Sequence, residues 1–253
     1  MTLALEEVAL ERGGRTLLEG LSLRFETGVT ALLGPNGVGK TTLLRALAGS
    51  VIPQRGRVAL DGRDVHALHP RDRARRIGLI ESTEPVLSAL TVEDAVGAAR
   101  YAHHRWWEWE PTAEDRDAVD EALARTQLVD LREREVGTLS AGERQRVWIA
   151  LAIAQRAGIV LLDEPTSHLD LKASVETLRL VRELAAGGAL VVAVLHALEE
   201  AASFADRIVL LGCGGVLADG VPAAALTAEN IERAYGVPVV VEAGPGGLVF
   251  RRT

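Results

Sequence analysis

Gly34-Pro35-Asn36-Gly37-Val38-Gly39-Lys40-Thr41-Thr42 is the stretch on which the rest of the chain is read. It has the spacing G-x-x-x-x-G-K-[ST], a loop that cradles phosphate. Val29 to Leu33 before it reads as a buried strand, and Thr41 to Ala48 after it as a helix closed by Gly49. Glycines let the backbone curl until several N–H groups face one anion, and the helix N-terminus adds partial positive charge there. Lys40 is placed to reach the β- and γ-phosphates, and the Thr41 hydroxyl to ligate Mg²⁺. A plain glycine-rich turn would share the glycines but not the full spacing between a strand and a helix.

The chain has 253 residues, enough for one large domain or two small ones, and a formal net charge of −7. With no long basic tract, that charge argues against broad nucleic-acid binding. Cys213 is the only cysteine. It forms no internal disulfide, so a reducing, cytoplasmic setting is expected. No apolar run reaches the roughly 18 residues of a membrane span; Leu190 to Leu195 stops at His196. The N-terminus lacks a basic segment followed by an apolar core, so no signal peptide is evident. A membrane role therefore has to come through a partner.

Leu3, Leu5, Val8 and Leu10 indicate an early strand, Gly13-Gly14 a turn, and Leu21, Leu23 and Phe25 a second strand with clean alternation. Val58 to Leu60, Asp61-Gly62 and Val65 read as strand, turn and returning strand. Arg71 to Arg76 reads as a solvated basic face and Ile77 to Ile80 as a short strand. From about Thr83 to Ala157 helical patterns replace strands. Thr91 with Asp94 and Thr112 with Asp115 read as N-terminal caps, and Val119, Ala122 and Leu123 form a helical stripe. Ile159 to Leu162 and Leu190 to Leu195 read as central parallel strands separated by a helix from Leu171 to about Leu184. Ile208 to Leu211, a turn over Gly212 to Gly215, and Val216 to Ala218 read as a late hairpin. The expected organisation is one α/β domain. Residues 1–82 and 158–253 form a catalytic lobe with an antiparallel β subdomain, and residues 83–157 an inserted α-helical subdomain.

Ile159-Val160-Leu161-Leu162-Asp163-Glu164 is an apolar strand ending in two acids. Beside a phosphate loop such a strand delivers Asp163 to Mg²⁺, and Glu164 is placed to orient or deprotonate an attacking water. Two solvated acids at a strand end would be the reading without the upstream loop. Leu139-Ser140-Ala141-Gly142-Glu143 precedes a helix, about a hundred residues beyond the phosphate loop. Ser140 and Glu143 fit a capping box, and the same helix N-terminus with small residues is also an anion site.

With these residues assembled, the chain resembles the ATP-binding subunits of ATP-binding-cassette (ABC) transporters along essentially its whole length. Gly34–Thr42 looks like Walker A. Leu139–Glu143 looks like the signature sequence, with Ala141 and Glu143 substituted. Ile159–Glu164 looks like Walker B with the catalytic Glu, Ser167-His168-Leu169-Asp170 like the D-loop, and His196 like the switch histidine. The spacing to Thr91-Val92-Glu93-Asp94, the Arg100 to Trp109 stretch and the ending from Ala228 to Val237 look most like the ATPases of ferric-siderophore, haem and cobalamin importers.

The resemblance implies a P-loop nucleoside triphosphate hydrolase fold that uses ATP and Mg²⁺. It implies Lys40, Glu164 and His196 as catalytic residues. Arg12, Gly34, Pro35, Asn36, Gly37, Gly39, Lys40, Thr41 and Thr42 would bind ATP, joined by Ser140, Gly142, Glu143 and Asp170. Thr41, Asp163 and Ser82 would face the metal. It further implies a head-to-tail dimer with a second copy, permease subunits at the cytoplasmic face of the membrane, an indirect link to a substrate-binding protein, and no nucleic-acid partner.

This sequence departs from the family pattern at two of these positions. Arg12 stands where an adenine-stacking aromatic is usual, although a guanidinium also stacks. Ser82 aligns with the Q-loop glutamine and is too short to copy its reach, which leaves the neighbouring Glu81 as an alternative. Trp106, Trp107 and Trp109 crowd one stretch and suit either packing within the helical subdomain or a partner-facing patch. His66 with His69 and His103 with His104 lack the Cys or acid cluster a metal site needs. Cys213 falls in the predicted turn and carries no role. A soluble cassette protein acting on DNA or ribosomes is the alternative. It usually carries two cassettes or a long coiled-coil insertion, neither of which is present here. A P-loop kinase would not need Leu139–Glu143.

Overall fold

The computed structural model describes residues 1–81, 87–104, 110–244 and 247–252. Ser82 and the Trp106, Trp107 and Trp109 group fall outside them. The chain opens with β1 (Leu3–Arg12) and β2 (Arg15–Phe25), an antiparallel hairpin whose turn residues Gly13 and Gly14 both have positive φ, as a tight two-residue hairpin requires. Leu3 faces Phe25 and Leu5 faces Leu23, so the alternating apolar residues line one buried face. After β3 (Gly28–Leu33) and α1 (Lys40–Leu47), β4 (Arg55–Leu60) returns antiparallel to β1. The edge strand is β5 (Arg63–Asp64), giving a sheet of order β2-β1-β4-β5. The sequence expectation of a strand at Val65 is corrected here. Arg63 and Asp64 make the pairing, and the Asp64 carboxylate accepts from the His66 N–H, turning Val65–Ala67 into a 3-10 turn.

The chain continues through α2 (Pro70–Arg76), β6 (Ile77–Glu81), α3 (Val92–Ala98), α4 (Ala113–Arg125), α5 (Ala141–Gln155) and β7 (Ile159–Asp163). It then forms α6 (Leu171–Ala186), β8 (Leu190–Val194), α7 (Leu198–Phe204), β9 (Arg207–Gly212) and β10 (Gly215–Gly220). It ends with α8 (Pro222–Ala225), α9 (Ala228–Tyr235) and the hairpin β11 (Val239–Gly244) and β12 (Gly247–Arg252).

Two compact units result. The first comprises residues 1–68, 162–164 and 190–253; the second comprises 69–161 and 165–189. In the first, β3 runs parallel to β8 (Val29 opposite Val191) and to β9 (Ala31 opposite Ile208), with β10 antiparallel outside β9. The end of β7 lies next to β8 in this order. Every residue of β8 is buried, which explains its unbroken apolar run.

The second unit is organised on α5, whose C-terminal half is buried without a break from Val147 to Ala154. Its helices start where short polar side chains cap them. Thr91 Oγ accepts from the Asp94 N–H, and Thr112 with Asp115 and Ser140 with Glu143 form full capping boxes. A buried ion pair lies between α3 and α4. Arg100, 2% exposed, places Nε 2.8 Å from Asp115 Oδ1, and Asp115 is 4% exposed. His104 and Thr112 bond the same carboxylate through Oδ2. Among the described residues no helix is long and apolar enough to cross a membrane.

Candidate active site

The phosphate loop is shaped by close backbone approaches. Gly34 lies at φ +145°, and a Cβ there would meet the Leu211 carbonyl oxygen at 2.5 Å. Gly39 lies at φ +112°, with Leu17 and Leu18 side chains 3.2 Å from where its Cβ would be. Only glycine fits both places. Gly39 also supplies the N-cap of α1, and no side chain caps the first N–H groups of that helix.

Lys40 is buried, and its Nζ donates to the carbonyls of Gly34 (2.7 Å) and Pro35 (3.1 Å). Burial pulls the ammonium below its ordinary pKa, while the nearby charges of Glu164 and then Asp163 push it back up. A cation held this way by two weak acceptors and two neighbouring acids is poised for an incoming anion.

One cleft of about 300 Å³ gathers Arg12, Leu17, Asn36, Gly37, Gly39, Lys40, Thr41, Thr42 and Glu164. Eight of these nine lining positions are predicted from the sequence; Leu17 is the addition. An apolar residue in a strand carries no local signal that separates a cleft wall from a core position. Arg12 reaches the cleft because it ends β1, paired with Arg15 across the Gly13-Gly14 turn.

Glu164 directly follows β7 at φ +53°, a left-handed conformation uncommon outside glycine. Holding it there costs on the order of 1 kcal/mol. His196, just beyond β8, sets its Nε2 2.6 Å from Glu164 Oε1. The carboxylate accepts from the ring N–H. Both side chains are about two-fifths exposed, so the pair is open to solvent.

Asp163 ends β7 in the first unit, while Ser140, Gly142, Glu143 and Asp170 lie in the second. Ser140 Oγ donates to Glu143 Oε2 at 2.7 Å, and the same oxygen accepts from the Ser140 N–H at 2.8 Å. These bonds from Ser140, with the positive charges of Arg146 and Arg134, hold the Glu143 carboxyl below its ordinary pKa. Gly142 lets α5 approach α6, since a Cβ there would sit 3.1 Å from Ala173 Cβ. Asp170 caps α6, accepting from the Ala173 N–H at 2.8 Å. His103 and His104 bond the Gln155 carbonyl and Asp115.

One cleft thus holds a glycine-rich loop, a buried lysine and a carboxylate bonded by a histidine, the arrangement of a P-loop ATPase. A family model described as ABC transporter matches residues 18–167, and the chain belongs to that family of ATP-hydrolysing transporter subunits. The ferric enterobactin transport ATP-binding protein FepC of Escherichia coli (strain K12) is 39% identical over 242 residues, covering 93% of this chain and 88% of that one. The hemin import ATP-binding protein HmuV of Pseudomonas entomophila (strain L48) is 39% identical over 249 residues, covering 96% of each. Among solved structures, an ABC transporter assigned to the metal-chelate type, in an inward-facing conformation, superposes with a TM-score of 0.84 at 26% identity, covering 100% of this chain and 96% of that one.

Proposed function

We propose that two copies of this chain, arranged head to tail, hydrolyse ATP to drive import of an iron complex (siderophore or haem) or cobalamin through permease subunits at the cytoplasmic face of the membrane. The relatives named for ferric enterobactin and hemin support the solute class. The observation that carries the chemistry is Glu164, held by His196 in the same cleft as Lys40 and Thr41. In the proposed reaction a water oxygen attacks the γ-phosphorus, its proton passes to Glu164, and the bridging β–γ P–O bond breaks, with ADP taking the electron pair. Lys40 and the loop amides balance the phosphate charge. Once His196 turns to the γ-phosphate, Glu164 is released to act as base.

Mg²⁺ suits the donors present. Thr41 and Asp163 offer hard oxygen ligands, and no group of three or more His, Cys, Asp or Glu forms a protein cage among the described residues. That pattern matches a metal held largely by nucleotide phosphates, whose charge it would offset. Ser82, or Glu81 beside it, would sense the metal. Ser140, Gly142 and Glu143 at the N-terminus of α5, with Asp170, would complete the site of the other copy. We retain residues 83–157 as the helical subdomain that carries this surface.

Glu164→Gln tests the base. Hydrolysis should fall by about 10²-fold or more while ATP binding persists, because only the proton acceptor is lost. Near-normal turnover would remove Glu164 from this role.

A further inference from the structure

At the end of α5 opposite Ser140, one side chain closes a ring of hydrogen bonds through three segments of the second unit. Gln155 Nε2 donates to the Ala74 carbonyl at 2.6 Å and lies 3.4 Å from the Ile77 carbonyl. The backbone carbonyl of Gln155 accepts from His103 Nε2 at 2.9 Å. The His103 carbonyl in turn accepts from Arg75 Nη2 at 3.3 Å, and the Ala102 carbonyl from Arg75 Nε at 2.8 Å. The path runs from α2 to the 3-10 turn over Tyr101–His103, on to α5, and back to α2 beside its starting point. Burial lowers the His103 pKa against the raising effect of its bond to Gln155, and Arg100 and Arg75 lower it further. Because a carbonyl only accepts, His103 Nε2 carries the proton and donates to the Gln155 backbone carbonyl.

This tie has little to replace it. α2 is a seven-residue helix with no buried residue, so apolar packing does not fix it. Its polar bonds carry its placement. The amide is also enclosed on its other side, since a Cβ on Gly78 would come within 2.6 Å of Gln155 Oε1. β6 thus runs directly from the Gln155 contact to Glu81, the residue before position 82. A helix of this length, about 22 Å, behaves as a rod with Ser140 at one end and Gln155 at the other.

We propose that Gln155 is a positioning residue for ATP hydrolysis: its side-chain amide locks the α2–β6 junction to the C-terminal end of α5, so that displacement of α5 is delivered to β6 as far as Glu81. This rests on the proposed role of Ser140 at ATP held by the second copy.

The test uses the full chain as wild type, Gln155→Ala, Gln155→Glu, Gly78→Ala, the Gly78→Ala/Gln155→Ala double variant and Ser140→Arg. ATP dissociation constants, kcat, KM and amide hydrogen exchange over Ile77–Glu81 are measured for each. The phosphate loop belongs to the other unit, so ATP affinity should stay within about 2-fold of wild type while kcat falls about 5-fold or more for each single variant at Gln155 or Gly78. Gln155→Glu keeps the shape and loses the donor, so it should match Gln155→Ala. Gly78→Ala acts by pushing the amide aside, so in the Gln155→Ala background it should change kcat by less than about 1.5-fold. Exchange over Ile77–Glu81 should rise in all four.

Faster exchange with unchanged kcat would make the tie merely structural and overturn the proposal, as would fully additive effects of the two sites. If Gln155→Ala does not fold, Gln155→Glu and Gly78→Ala decide the question by the same kcat criterion. A Ser140→Arg chain with normal hydrolysis takes down both this inference and the shared-site reading. An inactive Ser140→Arg with normal Gln155 variants takes down this inference alone.

Discussion

Arg12 is where this chain departs most visibly from an aromatic adenine platform, and its removal gives a quantitative test. The side chain ends β1, is exposed, and lines the cleft together with Leu17, Asn36 and Lys40. A guanidinium stacked on an adenine face contributes about 0.5–2 kcal/mol, rising as the contact is desolvated, which corresponds to an increase in the ATP dissociation constant of about 2- to 30-fold for Arg12→Ala. Arg12→Tyr should recover most of that loss, because a phenol ring also stacks. The assay is equilibrium titration of ATP and, in parallel, of inorganic tripolyphosphate, which carries the charge without the base. Stacking predicts a loss for ATP alone. A loss of equal size on tripolyphosphate would mean that Arg12 acts on the phosphates as a charge, and an unchanged ATP constant would mean that it does not touch the nucleotide. Either result refutes the assignment.

Asp115→Asn leaves the buried Arg100 guanidinium with only the exposed Glu114, 3.6 Å away, as a charged partner, so stability should fall by about 3 kcal/mol, read by denaturant or thermal unfolding. Burial pushes the Asp115 carboxyl up, but hydrogen bonds from Thr112, Arg100 and His104 outweigh it and hold the carboxyl well below the ordinary range. Its stabilisation is therefore complete above the ordinary carboxylate pKa of about 3.9 and lost as pH falls further, so the gap between wild type and variant should narrow below about pH 4. At the metal-sensing position, Ser82→Gln should change basal hydrolysis and its stimulation by the permease while Glu81→Ala does little. A collapse of Mg²⁺-dependent activity in Glu81→Ala with a silent Ser82→Gln would move the role to Glu81.

The parts of this molecule that could be read from sequence are those set by local chemistry. The phosphate loop announces itself because close approach at Gly34 and Gly39 admits no other residue. The caps at Thr91, Thr112 and Ser140 use partners only three residues away. Bonds between distant residues left no such trace. Gln155 meets Ala74 across 81 positions, and Arg100 meets Ala154 across 54. Neither contact has a spacing to betray it. Arg75 reads as one more solvated arginine in a basic run, yet its guanidinium holds two carbonyls of the neighbouring turn. The β11–β12 hairpin is equally silent, because Val239-Val240-Val241 runs without alternation and gives way at once to Glu242, Ala243 and Gly244.

The central claim is that each ATP is shared between two copies, and labelling across the copies addresses it directly. All chains carry Cys213→Ser, since Cys213 is exposed and would react. One chain also carries Ser140→Cys and Lys40→Ala, so that it presents a thiol on the signature helix but binds nucleotide poorly. The other keeps Ser140 and Lys40. A thiol-reactive ATP analogue, at a concentration that only the intact phosphate loop retains, is added to the first chain alone and then to the mixture. The account predicts that the Ser140→Cys chain is labelled only when the second chain is present, with labelling rising as the second chain is titrated in. Equal labelling of the Ser140→Cys chain in the absence of its partner would contradict it.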